Sequence, residues 1–168
     1  RVPLDQFTFR KSQKRVINRN KDLEVTFEEP KFSDEYYALY QHYINTRHAD
    51  GDMHPPSEEQ FTSFLCQPNP ACRSYFICFR AAEKLIAVAV VDMLPKGVSA
   101  IYTFFDPQYS IRSLGQLAVL WQISWAKKQS LSYVYLGYWI KNCQKMSYKA
   151  DYQPLEVFND LIWQPLEP

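Results

Sequence analysis

One segment of the sequence holds a side chain suited to moving a proton. His48 lies in a polar stretch, 46–56, whose glycine and paired prolines exclude a continued helix and predict a loop. A histidine exchanges its proton close to neutral pH, so His48 is a candidate general base. A loop histidine that makes only structural hydrogen bonds is the more common case, and both interpretations stay open at this point.

A second candidate site lies where a predicted strand leads into a helix. Asp106 and Pro107 end the strand, and Arg112 and Gly115 follow at the helix start. Free backbone N–H groups at a helix start, joined by an arginine, are what an anion site requires. The spacing is similar to the pyrophosphate loop of the GNAT acyltransferase fold. Leu117 stands where that loop ends in a small residue, which disfavours acetyl-CoA as the ligand.

Asp106 has two interpretations. Asp-Pro is typical of turns, so the simpler one is a cap that leads the chain into the following helix. The alternative is a general base that accepts a proton from an ammonium group.

Lysines and aromatic rings alternate in the segment 137–149. Three lysines are spaced at i, i+4 and i+8: Lys141, Lys145 and Lys149. This spacing would place them on one face if the segment were helical. Cations beside stacking rings suit a single-stranded RNA end, and Tyr138 and Tyr148 would supply the rings. A solvated amphipathic segment is the alternative.

The first thirty residues are polar and basic. Their closely spaced cations are Arg10, Lys11, Lys14, Arg15, Arg19 and Lys21. A solvated linker or short helix is one interpretation, and a basic arm that meets RNA phosphates is the other. We expect 1–30 to be the end of a truncated N-terminal domain with a basic linker, and 31–168 to form the main domain.

The periodicity of apolar residues predicts the elements that position these side chains. Helices are expected at 33–45, with Ser33 as N-cap, at about 57–65 and at 110–129. Strands are expected at 74–80, 85–94, 98–105 and 132–138, the first three as an antiparallel meander, before a polar tail. We predict an α+β fold with a GNAT-like acyltransferase core, in which helices flank a mostly antiparallel central sheet.

Composition excludes several classes of protein. The 168 residues are 46% hydrophobic, enough for one substantial core, and the net charge of +1 gives no overall attraction to nucleic acid. The longest apolar run, 85–91, is far shorter than the ~20 residues that cross a bilayer. The four cysteines follow no metal-binding spacing, so we expect a reduced cytoplasmic protein without a metal or cofactor.

Several motifs together resemble the arginyl/leucyl-tRNA–protein transferase family. They are Ile101-Tyr102-Thr103-Phe104-Phe105-Asp106-Pro107, Arg112-Ser113-Leu114-Gly115, Tyr135-Leu136-Gly137-Tyr138-Trp139-Ile140 and Cys143-Gln144-Lys145-Met146-Ser147-Tyr148-Lys149. The Tyr-Thr-Phe-Phe-Asp-Pro form is similar to the bacterial branch, the aspartate/glutamate leucyltransferases. The family carries a cysteine cluster upstream of a stretch similar to Arg1-Val2-Pro3, so we expect a missing segment there, which could hold a metal, a cluster or haem.

The resemblance implies an enzyme that moves leucine from leucyl-tRNA to the N-terminal amine of proteins beginning with Asp or Glu, marking them for degradation. Its partners would be aminoacyl-tRNA and acidic protein substrates, not DNA or a membrane. Arginine as the transferred amino acid, an acyl-CoA-dependent GNAT N-acyltransferase and a non-catalytic adaptor that binds acidic N-termini are the alternatives.

The same resemblance suggests roles for particular residues. The candidate catalytic residues are His48, Tyr102 and Asp106. The candidates for binding the acceptor's carboxylate are Arg47, Arg80 and Arg112. The candidates for binding tRNA are Arg112, Gly115, Tyr138, Lys141, Lys145, Tyr148 and Lys149.

Overall fold

A twisted sheet with helices on both faces forms the protein. The computed structural model describes residues 1–67, 69–140 and 142–166, apart from the side chains of Gln144 and Lys145. Within these ranges the sheet strands are β1 Val2–Pro3, β2 Glu24–Glu28, β3 Arg73–Ala81, β4 Lys84–Leu94, β5 Gly97–Phe105 and β6 Tyr133–Tyr135. They lie in the order β1-β6-β5-β4-β3-β2, and every neighbouring pair is antiparallel except β5 and β6. The predicted α+β fold with a mostly antiparallel sheet is confirmed.

The central meander follows from the sequence. Strands β3, β4 and β5 pair in succession through short turns, as predicted, because their runs of β-branched and aromatic residues are interrupted only by turn residues. Gly97 is needed where β5 meets β6, since a Cβ there would lie 2.4 Å from the carbonyl oxygen of Tyr133.

The helices are α1 Lys11–Arg19, α2 Asp34–Arg47, α3 Glu58–Phe61 and α4 Leu114–Lys128. Ser33 caps α2 as predicted, with its hydroxyl accepting a hydrogen bond from the Tyr36 N–H at 3.3 Å. A π-helical turn at Thr62–Cys66 continues α3, and a 3-10 turn at Pro107–Arg112 precedes α4. No helix in the described part of the chain is long and apolar enough to span a membrane.

Two cores lie on opposite faces of the sheet. Helices α1 and α4 cover one face, where Val16, Leu117 and Ile123 are buried. Helices α2 and α3 cover the other, where Tyr40 and Phe61 are fully buried. Segment 1–30 supplies α1 and both edge strands of this sheet.

A β-bulge in β5 directs its side chains to both cores. Ile101 has no partner on β4, because the pairing passes from Ala100 directly to Tyr102. One extra residue reverses the alternation of side chains. Val98 is therefore buried on the α4 face, while Phe104 is buried on the α2 face.

Two expectations for the C-terminal part were wrong. The strand predicted at 132–138 ends at Tyr135, because Gly137 adopts a positive φ of 76° and the chain leaves the sheet. The tail expected to be polar contains a 3-10 helix at Gln144–Asp151 and a hairpin of β7 Glu156–Asn159 and β8 Ile162–Pro165.

Candidate active site

The divergence of two parallel strands opens an edge inside the sheet. Strands β5 and β6 pair only from Gly97 opposite Tyr133 to Ser99 opposite Tyr135. Strand β6 then ends, while β5 runs on to Phe105. We call residues 100–105 the open edge of β5. A substrate laid along it could meet side chains from both faces of the sheet.

His48 lies at the C-terminal end of α2, which packs on this edge. It is the C-cap residue, and its backbone N–H donates a hydrogen bond to the Ile44 carbonyl at 2.9 Å. Its imidazole Nε2 lies 3.0 Å from the hydroxyl of Tyr43, and the two rings meet edge to face. The imidazole is therefore held in one place by a partner on the same helix end.

Aromatic packing joins this helix end to β5. The Tyr43 ring lies 4.9 Å from that of Phe105 and 6.5 Å from that of Tyr102. Phe64, from the π-helical turn, packs edge to face on Tyr102 at 5.4 Å. Burial raises the pKa of the Tyr102 phenol, with further contributions from neighbouring tyrosines, so its hydroxyl stays protonated and can donate a hydrogen bond.

Arg47 completes the group. The Arg47 guanidinium is exposed and lies 5.9 Å from the centroid of the Phe105 ring. Burial raises the pKa of Tyr43, the charge of Arg47 opposes this rise, and Tyr148 adds to it. We name the four residues Tyr43, Arg47, His48 and Tyr102 the His48 cluster.

The contacts of Asp106 are with residues outside the His48 cluster. Its carboxylate accepts hydrogen bonds from Lys84 Nζ at 2.9 Å and from the Gln108 N–H at 3.0 Å, with His42 Nε2 at 3.6 Å. Burial raises the pKa of Asp106, but the bonds from Lys84 and the Gln108 N–H outweigh it and leave the pKa below its ordinary value. The capping interpretation fits these contacts, and the catalytic one stays a prediction.

The three candidate arginines for the acceptor lie at separate places. Arg80 makes a two-pronged ion pair with Glu35 near the start of α2, about 18 Å along the helix from Arg47. Arg112 makes another with Asp22, at 2.9 and 2.8 Å, on the α1 side of the sheet. Arg47 is the candidate that lies beside His48.

Among the candidate tRNA-binding residues, Tyr138 and Lys149 are in contact, whereas Arg112 and Gly115 lie at the start of α4. A Cβ on Gly115 would lie 3.2 Å from the Phe105 ring, so this glycine lets the first turn of α4 pack against the end of β5. Lys149 Nζ donates to the Tyr138 carbonyl at 2.6 Å, and burial lowers the pKa of Lys149. The Tyr138 side chain is 90% exposed and available for stacking.

In its described residues, the segment that carries the three lysines is not a single α-helix, the condition under which they would share one face. Residues 136–140 are not helical, and Gln144–Asp151 is a 3-10 helix with about three residues per turn, in which i+4 neighbours do not align. Lys141 and the side chain of Lys145 lie outside the described part of the chain.

Tyr43 lies in the helix predicted at 33–45 but was not among the candidate site residues, so its contact with His48 was not predicted. The available signal was its spacing, five residues before a histidine that follows the predicted helix. In the described ranges, no three His, Cys, Asp or Glu side chains come together as a metal site would require.

The fold is that of GNAT-type acyltransferases. The structure of L-PGS from Bacillus licheniformis superposes with a TM-score of 0.61 over 98% of this chain and 56% of that chain, at 15% identity. The ribosomal-protein alanine N-acetyltransferase of Escherichia coli superposes with a TM-score of 0.52 over 80% of this chain and 79% of that chain, at 17% identity. At such low identity the likeness shows the fold alone.

Sequence comparison identifies the family. Residues 35–159 match the family described as arginine-tRNA-protein transferase, C terminus. Proteins named aspartate/glutamate leucyltransferase from Pseudomonas putida and Pseudomonas fluorescens are each 52% identical over 166 residues, and one from Pseudomonas aeruginosa is 49% identical. Each match covers 99% of this chain and 70% of the relative. The chain belongs to the arginine-tRNA-protein transferase family, whose members are aminoacyltransferases.

Proposed function

We propose that the protein transfers leucine from leucyl-tRNA to the N-terminal amine of proteins that begin with Asp or Glu, tagging them for degradation in the cytoplasm. The observation that carries this proposal is the match to relatives named aspartate/glutamate leucyltransferase across nearly the whole chain. The His48 cluster beside the open edge of β5 supports it, because it places a base, phenol donors and a cation close together.

The chemistry requires positioning more than activation. The amino acid is already held as an ester, so the acceptor nitrogen attacks the ester carbonyl carbon, the C–O bond to the ribose breaks, and an amide forms. Correct placement of the two reactants lowers the barrier by making the step effectively unimolecular. Phenol hydroxyls such as that of Tyr102 can donate hydrogen bonds to the developing oxyanion.

One proton must move from the attacking amine to the departing ribose oxygen. A free α-amine has a pKa near ~8, so a substantial share of the substrate reacts in its neutral form and a weak base suffices. The His48 imidazole would accept the proton as the C–N bond forms and return it to the ribose oxygen. The Tyr43 hydroxyl, 3.0 Å from Nε2, would hold the ring in the orientation for both transfers.

The acidic side chain of the acceptor needs a cation close to the reacting amine. Arg47 is one residue from His48, exposed, and without an ion pair among those found in the described part of the chain. A guanidinium can bind a carboxylate through two parallel hydrogen bonds. Arg80 and Arg112 would first have to release Glu35 and Asp22.

Arginine is the second candidate for the transferred amino acid. The matching family is described by arginine transfer, which favours this alternative to leucine. The choice depends on whether the pocket for the donor side chain is apolar or holds a carboxylate.

The test is transfer of radiolabelled leucine and, in parallel, arginine from charged tRNA to peptides that begin with Asp, Glu or Ala. Leucine transfer to the two acidic peptides alone is expected. Arginine transfer would replace the donor and keep the family, and no transfer of either amino acid would overturn the proposal.

A further inference from the structure

Helix α1 presents a strongly basic face to solvent. Its exposed cations are Lys11, Lys14, Arg15 and Arg19. Lys11, Arg15 and Arg19 are spaced four residues apart, which places them on one side of the helix about 6 Å apart along its axis. Gln13 and Val16 on the opposite side are buried, so the cations cannot turn inward. We call these four residues the α1 basic face.

The charge of this face is not neutralised locally. The sequence holds no acidic residue between Asp5 and Asp22, and Asp22 is already paired with Arg112. None of the ion pairs in the described ranges involves the α1 basic face. Concentrated, unpaired positive charge on a rigid helix is typical of a surface that binds a polyanion.

Hydrogen bonds attach one end of the face to the start of α4. The Arg19 guanidinium donates to the carbonyl of Ile111, and Asn20 Nδ2 donates to the carbonyl of Arg112 at 2.9 Å. Ser113 follows and begins α4, whose first turn packs on Phe105. The α1 basic face therefore extends away from the open edge of β5.

We propose that the α1 basic face binds the phosphate backbone of the double-stranded acceptor stem of the aminoacyl-tRNA. The inference rests on the proposed function and adds a location for the tRNA. Arg47 and His48 lie on the α2 side of the sheet, which would receive the protein acceptor. The donor then approaches from the α1 and α4 side. Its stem would pass along α1, where lysine and arginine contact phosphates without reading bases.

The test compares two triple variants of the full protein. Lys11→Gln/Lys14→Gln/Arg15→Gln removes most of the face and leaves Arg19, which bonds the Ile111 carbonyl. Glutamine keeps the helix propensity of these residues. The matched control, Lys31→Gln/Arg73→Gln/Lys96→Gln, removes the same charge from exposed positions outside α1.

The probe is an acceptor-stem minihelix, titrated at several salt concentrations, with a single-stranded RNA of equal length beside it. In the α1 variant we expect the Kd for the minihelix to rise about tenfold or more and the salt dependence to lose about 2–3 from its log–log slope. The control should stay within about twofold of wild type. In transfer assays the KM for aminoacyl-tRNA should rise while kcat is retained.

Wild-type affinity of the α1 variant for the minihelix would overturn the inference and leave the proposed function standing. Equal losses of affinity in both triple variants, or equal losses for minihelix and single strand, would also overturn it. The effect would then come from the overall charge of the protein and not from a site on α1. A wild-type protein that binds the minihelix through α1 but transfers no amino acid would instead remove the proposed function.

Discussion

His48 Nε2 lies 3.0 Å from the Tyr43 hydroxyl, and both residues stand where α2 reaches the open edge of β5. The Tyr43 ring is buried, so its hydroxyl is fixed in place. The contact with this hydroxyl fixes the position of the His48 imidazole. This hydrogen-bonded pair gives the His48 cluster an oriented proton acceptor. Substitutions at His48 and at Tyr43 should therefore lower kcat by different amounts.

Replacing His48 by Ala should lower kcat for amino-acid transfer by about 100-fold or more, the usual contribution of a positioned general base. Tyr43→Phe keeps the buried ring and removes only the hydroxyl, so we expect a smaller loss, on the order of tenfold, with unchanged thermal stability. Steady-state transfer assays with saturating charged tRNA measure both.

Tyr37→Phe is the matched control, since Tyr37 lies on the same helix and its hydroxyl donates to the Pro56 carbonyl instead. It should leave transfer unchanged. If His48→Ala retained wild-type kcat, the proton would have to leave by water alone.

Much of the fold could be predicted because the residue types along its central strands and helix show clearly where each element begins and ends. Strand β4 is a buried apolar run, β3 and β5 are rich in β-branched and aromatic residues, and short turns separate the three strands. Helix α4 is apolar nearly all round. The hairpin of β7 and β8 gave no such signal. Its strands have four residues each, and Phe158, Ile162 and Trp163 are exposed, so neither strand alternates between buried and exposed positions.

The site was harder to predict because its contacts are long-range. Tyr43 contacts both His48 and Tyr102 only because α2 packs across β5, although His48 and Tyr102 were candidates from sequence. The partner of Arg112 is Asp22, 90 residues away, and no local pattern indicates that pairing. Arg80 and Glu35 are likewise 45 residues apart. A sequence therefore proposes charged candidates without saying which of them are already paired.

Arg47→Gln should raise the KM for peptides that begin with Asp by about 10- to 100-fold and change kcat little. A change of this size in affinity is expected when one charge-assisted interaction is lost. The reason is that glutamine cannot offer the charged fork that binds a carboxylate. Arg73→Gln, at an exposed position of β3, is the control and should change neither constant. A raised KM in Arg112→Gln with a normal KM in Arg47→Gln would instead place the carboxylate site at Arg112, before α4.

Asp106→Asn tests charge without removing the cap, since the amide oxygen can still accept from the Gln108 N–H. The folded pKa of Asp106 lies below its unfolded value, so the carboxylate stabilises the fold above about pH 4 and this contribution is lost as pH falls through the folded pKa. We expect the free energy of unfolding at pH 7 to drop by about 1 kcal/mol, discounted for the exposed Lys84 partner.

Urea unfolding at several pH values measures this difference, which should close in acid, and Lys84→Gln should show the same pH dependence. A difference that stays constant with pH would contradict the ion-pair account. Loss of transfer in a fully folded Asp106→Asn protein would revive its role as a base.

Two buried glutamines provide the last test, because they have the same side chain and opposite surroundings. Gln122, in α4, is 1% exposed, and neither its Nε2 nor its Oε1 has a hydrogen-bond partner in the described part of the chain. Gln13, in α1, is 2% exposed, accepts from the Arg10 N–H at 2.9 Å and donates to the Asp151 carbonyl at 3.4 Å.

Methionine matches glutamine in length and helix propensity. Gln122→Met should therefore raise the free energy of unfolding by about 1–2 kcal/mol, since an unpaired buried amide is costly, and Gln13→Met should lower it by a similar amount. Thermal and urea unfolding of both variants measure the two signs. Destabilisation by both substitutions would mean that the Gln122 amide is hydrogen-bonded in solution, most simply to a buried water.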